Sequence, residues 1–373
     1  MTAGQIAVVL PPRENFSPAD AGAIGLIVYR LAAAPSRFAR IVIGPPQRAP
    51  FPDVAYRAAE PSWLPARQAR RYAGGVAGIL RSLKPALVEV HNRPDIARFL
   101  ARRFPATPVC LVLHNDPQGM RHARSPTERA SLLSAVARVV TVSAWLRGRL
   151  LEGVPSPDRP PTVLPNCIDL ASMPPEPPSC DPTILFAGRV VSDKGADGFV
   201  RACALALPDL PGWTGKIIGA DRFGPDSPET PWLRALRPQA EAAGVVMEGY
   251  RPHAEVLSAM ARAAMVVVPS RWPEPFGLTA LEAMAAGAPL LCSLRGGLAE
   301  IATGVAVPID PDDPQAIAAA MVALARDPAR RAALAAAGRA RAEDFALPQA
   351  AAALDALRSD VLDAWSHRTD RPI

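Results

Sequence analysis

Glu274 and Glu282 stand with seven residues between them in the stretch VVVPSRWPEPFGLTALEAMAAGAPLLCSLRGGLAEI, residues 266–301. Residues 265–268 form an apolar run too short and too β-branched for a helix, which predicts a buried strand. A proline-rich loop with Trp272 follows, and after Phe276 and Gly277 the apolar residues recur at helical spacing until Gly287, a C-terminal cap. Residues 288–292 predict another strand, and Arg295, Gly296 and Gly297 lead into another helix. A strand, a Gly/Pro loop and a helix start make an anion site, because unpaired backbone N–H groups and the positive end of the helix dipole point outward. The two carboxylates bracket that site. On spacing alone they read equally well as a solvated loop acid and a helix-surface glutamate.

A second pair is cationic. Arg189 and Lys194 lie five residues apart, after a predicted strand ending at Gly188, in a chain with only three lysines. By themselves they are a solvated pair in an arginine-rich protein. His91 and His114 each end a predicted strand, as groups at a functional edge of a parallel sheet do. A lone histidine in such a place is more often structural than catalytic.

The elements that must position these residues alternate throughout. Residues 6–10, 41–44, 87–91, 109–114 and 139–143 read as strands in the first half, and 184–188, 216–219 and 245–249 in the second, with helical patterns between. This is an α/β chain with parallel sheets, and 373 residues suffice for two domains. A proline-rich linker at 171–181 divides residues 1–170 from 171–345, and residues 346–373 form a last helix. Gly22 opens a helix after the first strand without the dinucleotide-binding G-x-G-x-x-G pattern.

Composition excludes several classes. No apolar run approaches the ~18–20 residues that cross a bilayer, and the start shows no secretory signal. The five cysteines include no C-x-x-C pair, which argues against a disulfide framework and a zinc site and for a reduced, cytoplasmic protein. Asp310 and Asp312 form a D-x-D, but Pro314 and a helix follow directly, so a helix cap is expected there and no metal. Charge is lopsided: residues 1–170 hold 22 Arg and Lys against 11 Asp and Glu, the remainder 19 against 24. Such asymmetry points the first domain at an anionic partner, although 38 of the 41 basic residues being arginine also suggests compositional bias. Residues 63–84 carry five basic residues among apolar ones, a solvated helix face or a contact with anionic membrane, with Gly74, Gly75 and Gly78 weakening the helix.

The whole string from Pro269 resembles the donor-sugar motif of glycosyltransferase family 4, a retaining family of GT-B fold. Pro269, Ser270, Glu274, Phe276, Gly277, Glu282, Ala283, Met284, Gly287, Pro289, Gly296, Gly297 and Glu300 carry the resemblance. Gly188, Arg189, Lys194 and Gly195 are similar to the family's diphosphate-holding element, and residues 163–169 to its domain-boundary motif, with Cys167 where glycine is usual. The resemblance implies two Rossmann-like α/β domains with a cleft between them, the last helix crossing back to the first domain. It also implies sugar transfer from a nucleoside-diphosphate donor, UDP favoured, to an acceptor hydroxyl with retention.

In that scheme Arg189 and Lys194 hold the diphosphate with the helix start at Phe276, Gly277 and Leu278. Glu274 holds donor-sugar hydroxyls and Glu282 the ribose, while Met247 and Glu248 flank the base. His114 faces the donor sugar, Gly22 approaches the donor, and His91 is structural or on the acceptor side. The implied partners are a nucleotide-sugar donor, a lipid-linked or saccharide acceptor and an anionic membrane surface, with no nucleic acid, cofactor or metal. The implied setting is cell-surface polysaccharide or lipopolysaccharide synthesis, at the inner face of the cytoplasmic membrane. A GT-B phosphorylase or nucleotide-sugar epimerase, or a non-catalytic basic α/β protein, are the alternatives.

Overall fold

The computed structural model describes residues 3–62, 68–177, 179–221 and 229–369. The chain divides into two compact units, residues 1–167 with 347–373, and residues 168–346.

In the first unit the strands are β1 (Ala3–Val9), β2 (Phe38–Gly44), β3 (Tyr56–Ala58), β4 (Leu87–His91), β5 (Val109–Leu113), β6 (Arg138–Thr141) and β7 (Thr162–Val163). They form one parallel sheet in the order β3-β2-β1-β4-β5-β6-β7. Every residue of β4 and β5 is buried, as expected of parallel strands covered by helices on both faces. The second unit has β8 (Asp181–Ala187), β9 (Thr214–Ile218), β10 (Val245–Gly249), β11 (Ala263–Val268), β12 (Leu290–Cys292) and β13 (Val307–Pro308). Its parallel order is β10-β9-β8-β11-β12-β13. In both sheets the first strand is central and the order reverses beside it. That reversal is the switch point where doubly wound folds bind ligands, beyond the strands' carboxyl ends.

The long internal strands agree with the sequence reading within a few residues. The short strands β3, β7 and β13 are additional. Each is an edge strand of two or three residues, too brief to show a period.

The unit boundary falls at 167/168 and 346/347, a few residues before and one after the sequence boundary. The local bonding explains it. The Cys167 carbonyl accepts from Arg30 Nη1 at 2.9 Å in the first unit. Ile168, in the second, pairs with Ala346 and donates its N–H to the Phe345 carbonyl at 2.9 Å.

Of residues 63–84, residues 63–67 lie outside the described residues, and the helix Gln68–Leu83 includes all three glycines. Its buried stripe of Tyr72, Ala73, Val76, Ala77 and Leu80 outweighs their cost of about 1 kcal/mol each. The last helix, Leu347–Thr369, lies in the first unit, where Leu357 and Val361 join the core of β1, β2 and β4. No described helix is long and apolar enough to cross a membrane.

Candidate active site

β8 and β11 are neighbours on either side of the second unit's switch point, and the loops at their carboxyl ends meet. After β8 the chain passes Gly188 and the exposed Arg189 into one 3-10 turn, Ser192–Lys194, and then the helix Ala196–Ala206. After β11 it runs through Pro269 and Glu274 to the helix Leu278–Ala285. The Asp193 carbonyl accepts from the N–H groups of Arg271 and Trp272, at 2.9 and 3.0 Å. Arg271 Nη1 donates to the Ser192 carbonyl at 2.8 Å. Only glycine permits this approach at residue 195: its φ is +74°, and a Cβ there would run into the Pro269 carbonyl oxygen.

The clamp brings two of the expected site residues into contact. Lys194 Nζ pairs with Glu274 Oε1, and Ser270 Oγ donates to the same oxygen at 2.7 Å. The Glu274 backbone is fixed by a bridge to Gly296 and by the Gly297 N–H, 2.6 Å from the Glu274 carbonyl. Glu274 is buried, whereas Lys194 is about a quarter exposed.

Glu282 lies in the next helix and is also buried, its Oε1 2.8 Å from His253 Nε2. His253 opens the helix His253–Arg262, just after β10. Phe276 packs edge-on against Phe345, and Gly277, at φ +105°, is the N-cap of the helix that begins at Leu278. The first N–H groups of any helix lack intrahelical partners, so this end carries the expected positive dipole. Met247 packs against the unit's core, and Glu248 pairs with Lys216 at 2.8 Å and Arg251 at 3.5 Å. Lys216 first, and then Arg251, hold the Glu248 carboxyl below its usual range against a smaller effect of burial.

Asp310 and Asp312 serve arginines. Arg295 Nη2 reaches Asp312 at 2.9 Å and Asp310 at 3.2 Å, and Arg271 Nε reaches Asp312 at 2.8 Å. Asp313 caps the helix Pro314–Ala325 through the Ala316 N–H at 2.9 Å. Among the described residues no group of three or more His, Cys, Asp or Glu could hold a metal ion. Arg271 also binds Asp197, at 2.7 and 3.1 Å. Burial pushes the Asp197 carboxyl up, but the bonds and charge of Arg271, with Arg201, outweigh it and leave it below the usual range.

In the first unit His91 and His114 form one buried pair, with His91 Nδ1 2.9 Å from His114 Nε2 and the rings stacked. Burial pushes His91 down to about 3, helped by the charge of Arg358. Burial, and then His91, push His114 well below its ordinary value. Both imidazoles are therefore neutral at pH 7 and act through hydrogen bonds. Gly22 is the N-cap of the helix Ala23–Ala33, and the space above it is taken by the Glu14 carboxylate, which accepts from the Gly25 N–H at 2.8 Å. Burial raises the Glu14 carboxyl, partly offset by that bond.

His253, Arg271 and Asp197 were not singled out from the sequence. The arginine and its partner lie 74 residues apart, a pairing with no local signal. His253 did carry one, since it follows the carboxyl end of a predicted strand.

Two doubly wound α/β units, the second with a cation–carboxylate pair beside a helix start at its switch point, define a GT-B protein. Residues 172–341 match the family described as "Glycosyl transferases group 1", and residues 28–172 match "Glycosyltransferase Family 4". The chain belongs to glycosyltransferase family 4. A glycogen synthase of Mycobacterium tuberculosis is 30% identical over 265 residues, 65% of this chain and 61% of that protein. The chain spans about three fifths of the length of such curated relatives. Sucrose-phosphate synthase from Thermosynechococcus elongatus superposes with a TM-score of 0.77 over 96% of this chain and 100% of that one, at 19% identity. Anabaena Alr3699/HepE in complex with UDP-glucose gives 0.76 over 96% and 100%, at 17% identity. At such identities the likeness establishes the fold.

Proposed function

We propose that the protein transfers a sugar from a nucleoside-diphosphate donor, UDP favoured, to an acceptor hydroxyl with retention of configuration. The observation that carries this reading is the Lys194–Glu274 contact between the two loops of the second switch point, beside a helix N-terminus. The complexes of Anabaena Alr3699/HepE, a protein of the same fold, with UDP and with UDP-glucose support the choice of base. In the reaction the bond from the sugar's anomeric carbon to the phosphate oxygen breaks, and its electron pair stays on the phosphate. The acceptor oxygen bonds to the same face of that carbon, and its proton passes to the departing phosphate oxygen.

Lys194, Arg189 and the N–H groups of residues 276–278 stabilise the growing phosphate charge. Fixed donors aimed at developing charge are most effective in a site that excludes water. Glu274 takes hydroxyls of the transferred sugar, Glu282 those of the ribose, and Met247 and Glu248 border the base. His114, neutral, is the group we assign to a hydrogen bond with the sugar. The reaction so drawn needs no metal, because these groups supply the positive charge. Cell-surface polysaccharide or lipopolysaccharide synthesis, on an anionic membrane met by the basic first unit, is the setting we favour.

Thermal shift with UDP, GDP and ADP tests the donor, since a ligand at 100 times its Kd stabilises by about 2.7 kcal/mol. UDP should shift the melting temperature most, and no response to any nucleotide would reject the reading. Lys194→Ala should lower turnover by roughly 10²–10³ with a much smaller loss of UDP affinity.

A further inference from the structure

Lys194 is gripped from both sides by a residue to which the sugar-transfer scheme assigns no part. Arg271 lies three residues before Glu274 on the loop after β11, and its guanidinium reaches back to the loop after β8. Nη1 donates to the carbonyl of Ser192, before Lys194, at 2.8 Å. Nη1 and Nη2 fork onto the carboxylate of Asp197, after it, at 2.7 and 3.1 Å. The Arg271 main-chain N–H adds a bond to the Asp193 carbonyl at 2.9 Å. The 3-10 turn that ends at Lys194 is therefore anchored ahead of the lysine and behind it.

The anchor is itself braced. Arg271 Nε donates to Asp312 Oδ1 at 2.8 Å, and Arg295 Nη2 takes the other oxygen of Asp312 at 2.9 Å. The loops after β8, β11, β12 and β13 are joined in this way through two guanidiniums. Gly198 gives the fork its room, since a Cβ there would stand 3.3 Å from Arg271 Nη2. Stability does not account for the arrangement. Asp312 is more than half exposed, Arg271 and Asp197 about a fifth, and ion pairs in contact with water contribute little to folding. What the network fixes is geometry. A planar fork of donors sets direction as well as distance, which the point charge of a lysine cannot do. At a reacting centre a displacement of about 1 Å costs on the order of 10²-fold in rate.

We propose that Arg271 is a positioning residue: through Ser192 and Asp197 it sets Lys194 against Glu274 and so aims the ammonium group at the diphosphate of the donor. The proposal rests on the sugar-transfer reading above and adds the group that places one of its two cations.

The chain has three lysines, Lys84, Lys194 and Lys216, so each can be followed in a proton–carbon NMR spectrum of the full-length protein labelled at lysine Cε. In the wild type the two Hε protons of Lys194, held against Glu274, should have separate frequencies. Arg271→Gln should merge them and leave the signals of Lys84 and Lys216 in place. Calorimetry supplies the functional half. Arg271→Gln should weaken UDP binding by about fivefold, less than one whole hydrogen bond to a charged group contributes, and by less than about twofold once Lys194 is already alanine. A wild-type Lys194 with merged signals, a Lys194 signal indifferent to Arg271→Gln, or a loss of UDP affinity that persists in full beside Lys194→Ala would overturn the proposal. Should Arg271→Gln unfold the chain and collapse all three lysine signals together, Asp197→Asn decides. It keeps the size of the side chain, removes the charge that the fork grips, and must change Lys194 alone. A wild type that fails to bind UDP refutes the donor reading, and with it the purpose given to Lys194. One that binds UDP while Lys194 ignores both variants refutes this inference alone.

Discussion

Glu282 and His253 pose the sharpest question at the scale of single residues. Their contact fixes the orientation of the Glu282 carboxylate, which makes His253 a positioning residue by way of its Nε2 atom. A glutamine places its amide nitrogen near Nε2, while an asparagine reaches only as far as Nδ1. His253→Gln should therefore keep UDP affinity within about threefold, and His253→Asn should lose roughly tenfold, the worth of one hydrogen bond to a charged group. Equal behaviour of the two variants would show that the contact positions nothing. The His91–His114 pair makes a prediction about pH. Both imidazoles stay neutral in the fold, but their ordinary pKa of 6.5 returns on unfolding, so the unfolded chain binds more protons below pH 6.5. Stability should then fall as the pH drops from 6.5 towards 3, by about 1.4 kcal/mol per pH unit for each such group. Melting temperatures between pH 7 and 4.5 should decline less steeply for His114→Asn than for the wild type, and parallel declines would contradict burial of a neutral pair.

Among the elements, the last helix has the firmest tie. Arg358 forms two bonds with Glu89, 2.7 and 2.8 Å, with both side chains almost fully buried inside the first unit. Asp355 extends the tie by accepting from Ser36 Oγ at 2.8 Å and the Arg37 N–H at 3.0 Å. Removing one member of a buried pair strands the other charge, at a cost of about 3–5 kcal/mol, whereas replacing both by apolar residues is often neutral. Glu89→Leu should therefore lower the melting temperature sharply, and Glu89→Leu with Arg358→Leu should recover most of the loss. A double variant as unstable as the single one would show that the pair adds more than mutual neutralisation.

For the molecule as a whole, chain connectivity treats the two units unequally. Residues 168–346 are continuous and include both sides of the proposed donor site, while the first unit borrows residues 347–373. Expressed alone, residues 168–346 should fold cooperatively and bind UDP. Residues 1–167 alone should not, because Glu89 and the surface covered by Leu357 and Val361 would be bare. Circular dichroism melts and UDP titration of the two fragments check this, and a stable fragment 1–167 would mean the helix is an accessory.

The amino-acid sequence alone determined the α/β class, the order of the internal strands along the chain, the loops in which Glu274 and Lys194 lie and the helix that carries Glu282. Those properties are local: a buried parallel strand announces itself by a short β-branched run, and a helix start by its glycine and its period. The tertiary structure decided what no local pattern encodes. Lys194 meets Glu274 across 80 residues because β8 and β11 are neighbours at a sheet reversal. Arg358 finds Glu89 across 269 residues, and D-x-D carboxylates that read alone as a helix cap are largely arginine partners. The unit boundary likewise moved to where Ile168 pairs with Ala346, because a domain ends where its bonds end and not where prolines gather. Contacts between residues far apart in the chain depend on strand order, and strand order is a property of the folded sheet.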